Sequence, residues 1–312
     1  MLSRKHFIRQ SALAAGGLLT APIWGQDNFT APTYRLVVLH TNDTHSRLDP
    51  FPMDGGRNQG LGGVAKRAQI IKQIRDQEPY VLLLDAGDIF QGTPYFNFYK
   101  GEPEIRAMSY MGYDATTIGN HDFDAGMENL ATQLRSHARF PMLVCNYGVS
   151  GTPLEGNVKP YQVFKRGPLT IGVLGVGIEG KGLIPDQLFG STEYLNPITE
   201  ANEVAYILRK KERCDLVICL SHLGNRYPTE RKVSDEDLAR ESEEIDLIIG
   251  GHTHTFLDKP LVYTNKKGRD VLVNQVGFGG IILGRIDFEF SKFSSQKILK
   301  TEKILISSKS VG

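Results

Sequence analysis

The sequence predicts an α/β protein, and three observations carry that expectation. Short apolar runs rich in leucine and β-branched residues recur along the chain, with helical patterns between them. The runs are continuous rather than alternating, which is the pattern of strands buried on both faces. At 312 residues, 40% hydrophobic and 23% charged, the chain can bury a large core; that composition excludes a disordered, collagen-like or multi-span membrane protein.

The first segment differs from the rest. Arg4, Lys5, His6 and Arg9 precede a mild apolar run from Ser11 to Trp24, and nothing from Met1 to Gly25 is acidic. A basic start, a short apolar run and a small residue predict a signal peptide over 1–25, with 26–312 as the folded catalytic domain. The run is too short and glycine-rich for a stable membrane anchor. Ser3-Arg4-Lys5-His6-Phe7-Ile8-Arg9 resembles a twin-arginine export motif with Lys5 in place of the second arginine. The expected location is therefore periplasmic or otherwise extracytoplasmic.

Strands are expected at 34–40, 80–85, 141–146, 169–176, 215–221, 245–250 and 271–276. Helices are expected between them. At 63–75, Val64, Ala68, Ile71 and Ile74 fall on one stripe, and at 102–111 Pro103 sits in the first turn. Two more are expected at 126–138 and 199–212. Segments 281–290 and 297–306 follow with no helix between them, so the sheet should finish antiparallel. Strand–helix alternation makes this a layered fold, and no repeat or linker marks a second domain.

The formal charge of +1, from 36 basic and 35 acidic residues, offers no footprint for a nucleic-acid polymer. Cys145, Cys214 and Cys219 are too few for a disulfide scaffold. They are expected to be reduced and buried, with a 214–219 bridge as the alternative.

Chemistry gathers at the strand ends. The first strand runs into Asp43-Thr44-His45, the second into Gly87-Asp88, and the short run 115–118 into Gly119-Asn120-His121-Asp122-Phe123-Asp124. The strand at 215–221 delivers His222, and that at 245–250 delivers Gly251-His252-Thr253-His254. Each has a plain alternative: Asp43 as a turn cap, Asn120 in a left-handed turn, His222 as a core histidine. Jointly they place imidazole, carboxylate and amide oxygen at the carboxyl ends of five strands, where open α/β sheets bind ligands. That donor set suits Mn, Zn or Fe rather than Ca or a thiolate site. His40 and His137 read as structural. No His-Glu-x-x-His or Gly-x-Ser-x-Gly motif is present, which excludes those protease and hydrolase types.

The blocks His40-Thr41-Asn42-Asp43-Thr44-His45, Gly87-Asp88, Gly119-Asn120-His121-Asp122 and Gly250-Gly251-His252-Thr253-His254, with His222 between the last two, resemble the calcineurin-like metallophosphoesterases. Gly92-Thr93-Pro94 and Asn120-His121-Asp122-Phe123-Asp124 narrow this to the 5′-nucleotidase branch, with its UDP-sugar hydrolases and 2′,3′-cyclic-nucleotide phosphodiesterases. The resemblance spans about residues 34 to 290. It implies a four-layer α/β/β/α sandwich of two mixed sheets holding two divalent metals. Asp43, His45 and His254 would hold one; Asn120, His222 and His252 would hold the other; Asp88 would bridge them. In some relatives the position of His254 is glutamine.

The implied activity is hydrolysis of nucleotide phosphate esters, by in-line attack of a hydroxide shared between the cations. His121, next to a ligand, would stabilise the transition state and protonate the leaving group. Asp124 would orient it, with a helix N-cap as the alternative role, and Asp122 is left as structural. Substrate-binding residues are not assigned. Exported relatives carry a C-terminal recognition domain, so the alternatives are a catalytic half paired with a separate recognition chain, a broad phosphodiesterase, or a sulfur-ester hydrolase. A non-catalytic binding protein on the same fold is the alternative of another class. The aromatic loop 90–99, with Phe90, Tyr95, Phe96, Phe98 and Tyr99, is either core packing or a stacking or docking face.

Overall fold

The computed structural model describes residues 33–291 and 294–307; the expected signal peptide lies outside them. The elements run β1 Thr33–Thr41, α1 Val64–Gln77, β2 Val81–Asp85, α2 Pro94–Tyr99, α3 Glu102–Met111, β3 Ala115–Thr117, α4 Met127–His137, β4 Met142–Leu143, β5 Tyr147–Gly148, β6 Val158–Lys159, β7 Tyr161–Arg166 and β8 Leu169–Val176. They continue with α5 Asp186–Phe189, β9 Glu193–Tyr194, α6 Pro197–Tyr206, β10 Leu216–Ser221, α7 Asp235–Glu241, β11 Leu247–Gly250, β12 Leu261–Thr264, β13 Asp270–Asn274, β14 Ile282–Ser291 and β15 Ser294–Leu305.

Two large sheets form, in the orders β15-β14-β1-β2-β3-β4-β6 and β12-β13-β11-β10-β8-β7. In the first, β1, β2, β3 and β4 are parallel neighbours, while β14 is antiparallel to both β1 and β15. The expected antiparallel finish is thus present. The alternating direction of side chains along a strand sorts the core into three bodies. Leu36, Val38, Leu82 and Leu84 of the first sheet meet Ile171, Val173, Leu216, Ile218 and Leu247 of the second. On the first sheet's other face, Val37, Leu39 and Leu83 pack on Ile71 and Ile74 of α1, Ile105 and Met108 of α3, and Leu130 and Leu134 of α4. On the second sheet's other face, Val217, Cys219, Ile248 and Val273 pack on Ala201 and Val204 of α6 and Leu238 of α7. The layers are therefore α/β/β/α. Strands buried on both faces explain why their runs read as continuously apolar.

Several features depart from the sequence reading. The segment 90–99 is not all loop: Pro94–Tyr99 forms α2, with Pro94 in its first turn. The helix expected at 199–212 begins earlier, at Pro197, because the Asn196 side chain accepts the amide hydrogens of Ile198 and Thr199. Strands β7 and β12, which pair antiparallel with β8 and β13, and helix α7 were not anticipated. Cys214 and Cys219 are buried free thiols. No helix among the described residues is long and apolar enough to cross a membrane.

Candidate metal centre

The parallel strands β1 and β2 of one sheet and β10 and β11 of the other end on the same side of the molecule, and the loops leaving them converge. Asp43 accepts the backbone N–H of His252 at 3.0 Å, tying the loop after β1 to the loop after β11. The carboxylate of Asp122, fully buried, accepts the amide hydrogens of Gly119 at 2.8 Å, Ile89 at 2.9 Å, Asp88 at 3.1 Å and Phe90 at 3.2 Å. It fastens the loop after β2 to the loop after β3. Gly119 must be glycine, since a Cβ there would lie 2.1 Å from Asp88 Oδ1.

Two groups of donor atoms result. In the first, His45 Nε2 lies 2.9 Å from His254 Nε2, and His254 Nε2 lies 3.3 Å from Asp43 Oδ1. In the second, His222 Nε2 lies 3.2 Å from Asp88 Oδ2, and His252 Nδ1 lies 2.8 Å from Asn120 Oδ1. Asp88 Oδ2 is also 3.8 Å from His45 Nε2, so one carboxylate faces both groups. The structure brings together all seven residues singled out in the sequence.

Whether this set suits cations can be judged from its own chemistry. Ligands at about 2.1 Å from a common ion stand roughly 3–3.5 Å apart from one another; four of the pairs here lie 2.8–3.3 Å apart, and His45 Nε2 and Asp43 Oδ1 are wider at 3.9 Å. The tautomers suit: His45 Nδ1 donates to the Phe90 carbonyl at 3.2 Å and His222 Nδ1 to the Ala86 carbonyl at 2.7 Å. Both leave Nε2 with its lone pair directed at the cluster, the usual outer support of a metal-binding imidazole. His222 Nε2 is fully buried and, among the described residues, has no hydrogen-bond partner. Asp43 and Asp88 are buried, and among the described residues only histidines lie within ion-pair distance of them. Buried carboxylates without lysine or arginine need another source of positive charge. Their field acts on His222: burial opposes charge there, but Asp88 outweighs it and raises the imidazole to about 10, so a proton occupies Nε2 unless a cation takes its place. Burial would likewise raise Asp88, yet His222 and His45 hold it well below the usual carboxylate range. The site fits two divalent cations.

His121 stands apart. Its backbone N–H donates to Asp88 Oδ1 at 2.8 Å, while its ring is part-exposed beside His45, with centroids 5.3 Å apart. Nδ1 lies 2.9 Å from Asp124 Oδ2; that hydrogen bond raises the imidazole pKa above its ordinary value. Helix α4 is capped at Gly126, so Asp124 is not its N-cap. Neither His40 nor His137 joins the centre. His40 is fully buried, accepts from Asn274 Nδ2 at 2.9 Å, and is kept neutral by burial, which lowers its pKa to about 3. His137 lies 4.0 Å from Glu102.

A cavity of about 280 Å³ opens over the centre, lined by His45, His121 and His254 with Arg47, Phe51 and Phe278. Phe278 stacks on the His254 ring at 5.2 Å. Sequence reasoning passed over Arg47, Phe51 and Phe278; only the position of Arg47, two residues beyond His45 in the same loop, hinted at it.

Comparison with known proteins places this geometry in context. Residues 36–256 match the calcineurin-like phosphoesterase family. A 5′-nucleotidase of Vibrio cholerae is 35% identical over 92% of the chain and 55% of its own length; that of rat is 33% identical over 89% and 49%. The crystal structure of a 5′-nucleotidase precursor from Thermus thermophilus superposes with a TM-score of 0.78 at 31% identity, covering 88% of this chain and 55% of that one. The chain thus spans about half the length of the curated relatives it matches.

Proposed function

The chain belongs to the calcineurin-like phosphoesterase family, and from that premise we propose that it is a dinuclear metal-dependent hydrolase of phosphate esters, most directly of 5′-nucleotides. The observation that carries this reading is the pair of donor clusters sharing the Asp88 carboxylate, with His121 at the mouth of the same cavity. Asp43, His45 and His254 would hold one cation, Asn120, His222 and His252 the second, and Asp88 both. Two divalent ions there would supply an acidified water and positive charge for the phosphoryl oxygens.

The chain's own residues do the rest. His121, with Nδ1 held by Asp124, presents Nε2 as the atom able to protonate the leaving oxygen and to hydrogen-bond the charged phosphoryl group. Asp124 fixes the tautomer and favours the imidazolium. Asp122 keeps Asp88 and Asn120 in register through its four amide contacts. The relatives named as 5′-nucleotidases support the substrate class. The basic and apolar segment 1–25 supports export to an extracytoplasmic compartment; a fusion to a reporter active only outside the cytoplasm tests that part. The catalytic part is tested by phosphate release from AMP in the presence of Mn²⁺ or Zn²⁺. Release abolished by chelator is expected, and release indifferent to chelator contradicts it.

A further inference from the structure

Of the imidazoles in the two donor groups, His254 has the least support of its own. The His45 and His222 rings are held through Nδ1 by backbone carbonyls, and the His252 ring meets Asn120. Among the described residues, the His254 ring meets His45 through Nε2 but has no outer acceptor at Nδ1. Its side chain is 40% exposed, against 14% for His45 and 0% for His222. What holds it comes from the connector between β13 and β14, residues 275–281, which supplies no ligand. The Phe278 ring stacks on the His254 ring, 20° from parallel, and is itself braced edge-on by Phe51 and Phe256. Gln275, fully buried at the start of the connector, straps the backbone on either side of His254. Its Oε1 accepts from the Thr255 N–H and from the Thr253 hydroxyl at 3.1 Å, and its Nε2 donates to the Gly251 carbonyl. A carboxamide suits this place because it offers an acceptor and a donor together. The same connector reaches the loop after β1. Asn42 accepts from the Val276 amide at 2.9 Å and donates to the Gly277 carbonyl at 2.6 Å, and the Gly279 amide donates to the Asp43 carbonyl at 2.7 Å. One segment is thus tied to the loops of Asp43 and of His254, two of the three ligands of one group.

We infer that Gln275 and Phe278 are positioning residues for the cation of Asp43, His45 and His254. Together they set the direction of the His254 imidazole. The aromatic stack takes the part that a hydrogen bond at the second ring nitrogen plays for His45 and His222. The connector therefore tunes the affinity of this cation separately from that of the cation held by Asn120, His222 and His252. The inference rests on the two-cation reading above and is independent of the substrate assigned there.

The test is Mn²⁺ uptake by the chelator-stripped full chain, measured by competition with a chelator of known affinity. Phe278→Leu, at a half-buried position, keeps the apolar contact and removes the stacked face. One of the two Mn²⁺ ions should then bind roughly 10- to 100-fold more weakly, the scale of lost outer support at a metal ligand, and the other should bind as in wild type. Phe278→Tyr, which keeps the ring, should restore the lost affinity. Gln275→Glu, which keeps the acceptor and loses the donor, should weaken the same ion. In a His254→Ala background, where the imidazole is gone, adding Phe278→Leu should change nothing further. Equal weakening of both ions, weakening of neither, or a further loss in the His254→Ala background overturns the inference while leaving the two-cation reading intact. A wild-type chain that binds fewer than two Mn²⁺ ions overturns that reading and the inference with it. Phosphate release enters none of these outcomes, so the substrate assignment stands or falls separately.

Discussion

Asp43, His45, Asp88, His252 and His254 have φ of 50, 48, 54, 68 and 50°, the left-handed region that side chains other than glycine seldom occupy. Each such backbone costs on the order of 1–3 kcal/mol and persists only where its surroundings over-determine it. Here the surroundings are known: Asp122 ties down four amides, and Asp43 is clamped to His252 and by the amide of Asn42 at 2.5 Å. Ser46, Gln91, Lys100 and Arg213 share this backbone among the described residues, so five of the nine such non-glycine residues are ones that converge donor atoms. Their identities were legible, because Asp, Asn and His after apolar runs are conspicuous. The work of Asp122 was not, since a carboxylate that satisfies amides in a neighbouring loop leaves no periodic trace. His121→Ala should lower turnover by roughly 100- to 10,000-fold while elemental analysis still finds both metals. Loss of metal together with activity would make His121 part of the scaffold rather than of the chemistry.

The elements that were legible are the ones buried on both faces. Strands β1, β2, β8 and β10 read as unbroken apolar runs, whereas β7 and β12 show half-exposed mixtures that resemble loops. Both are antiparallel edge strands, positioned by their hairpin partners rather than by their own pattern. Helix α7 escaped notice because its seven residues present little apolar stripe. Its start is set by side-chain bonding: Ser234 accepts from the Asp237 amide, and Asp237 accepts from the Ser234 amide, in a reciprocal capping box. The fourth residue of α7, Leu238, is fully buried against the second sheet. Ser234→Ala should thus cost about 1 kcal/mol of unfolding free energy, read as a lower midpoint in chemical denaturation. An unchanged midpoint would mean that packing of Leu238 alone sets the helix.

Across the whole molecule, the same four layers that bring the strand ends together are pinned at the far side by charge. Glu244 is buried between α7 and β11 and meets Lys267 at 2.7 Å, Arg269 at 2.8 Å and Lys210 at 3.4 Å. Burial alone would raise its pKa, but the Lys267 and Arg269 hydrogen bonds outweigh it and hold the carboxyl at about 2. An unfolded glutamate titrates near 4.3, so this depressed group contributes stability above that pH and loses it as pH falls toward 2. Replacing it with glutamine should lower stability at pH 7 by on the order of 2–3 kcal/mol and flatten the loss between pH 5 and 2; parallel pH profiles for the two proteins would refute this. The paired sheets themselves were not derivable from periodicity, which reports burial on both faces without saying whether a helix or a second sheet supplies it. Resemblance supplied that distinction, and the core between β2 and β10 agrees with it.

Seven residues from five strand ends are proposed to hold two cations that make this chain a phosphoesterase. The most direct test is to strip the full chain with chelator, titrate it with Mn²⁺, and follow phosphate release from AMP against metal bound per chain. No release is expected from the stripped protein, and the rate should saturate at about two equivalents. Saturation at one equivalent, or release that proceeds without metal, would contradict it.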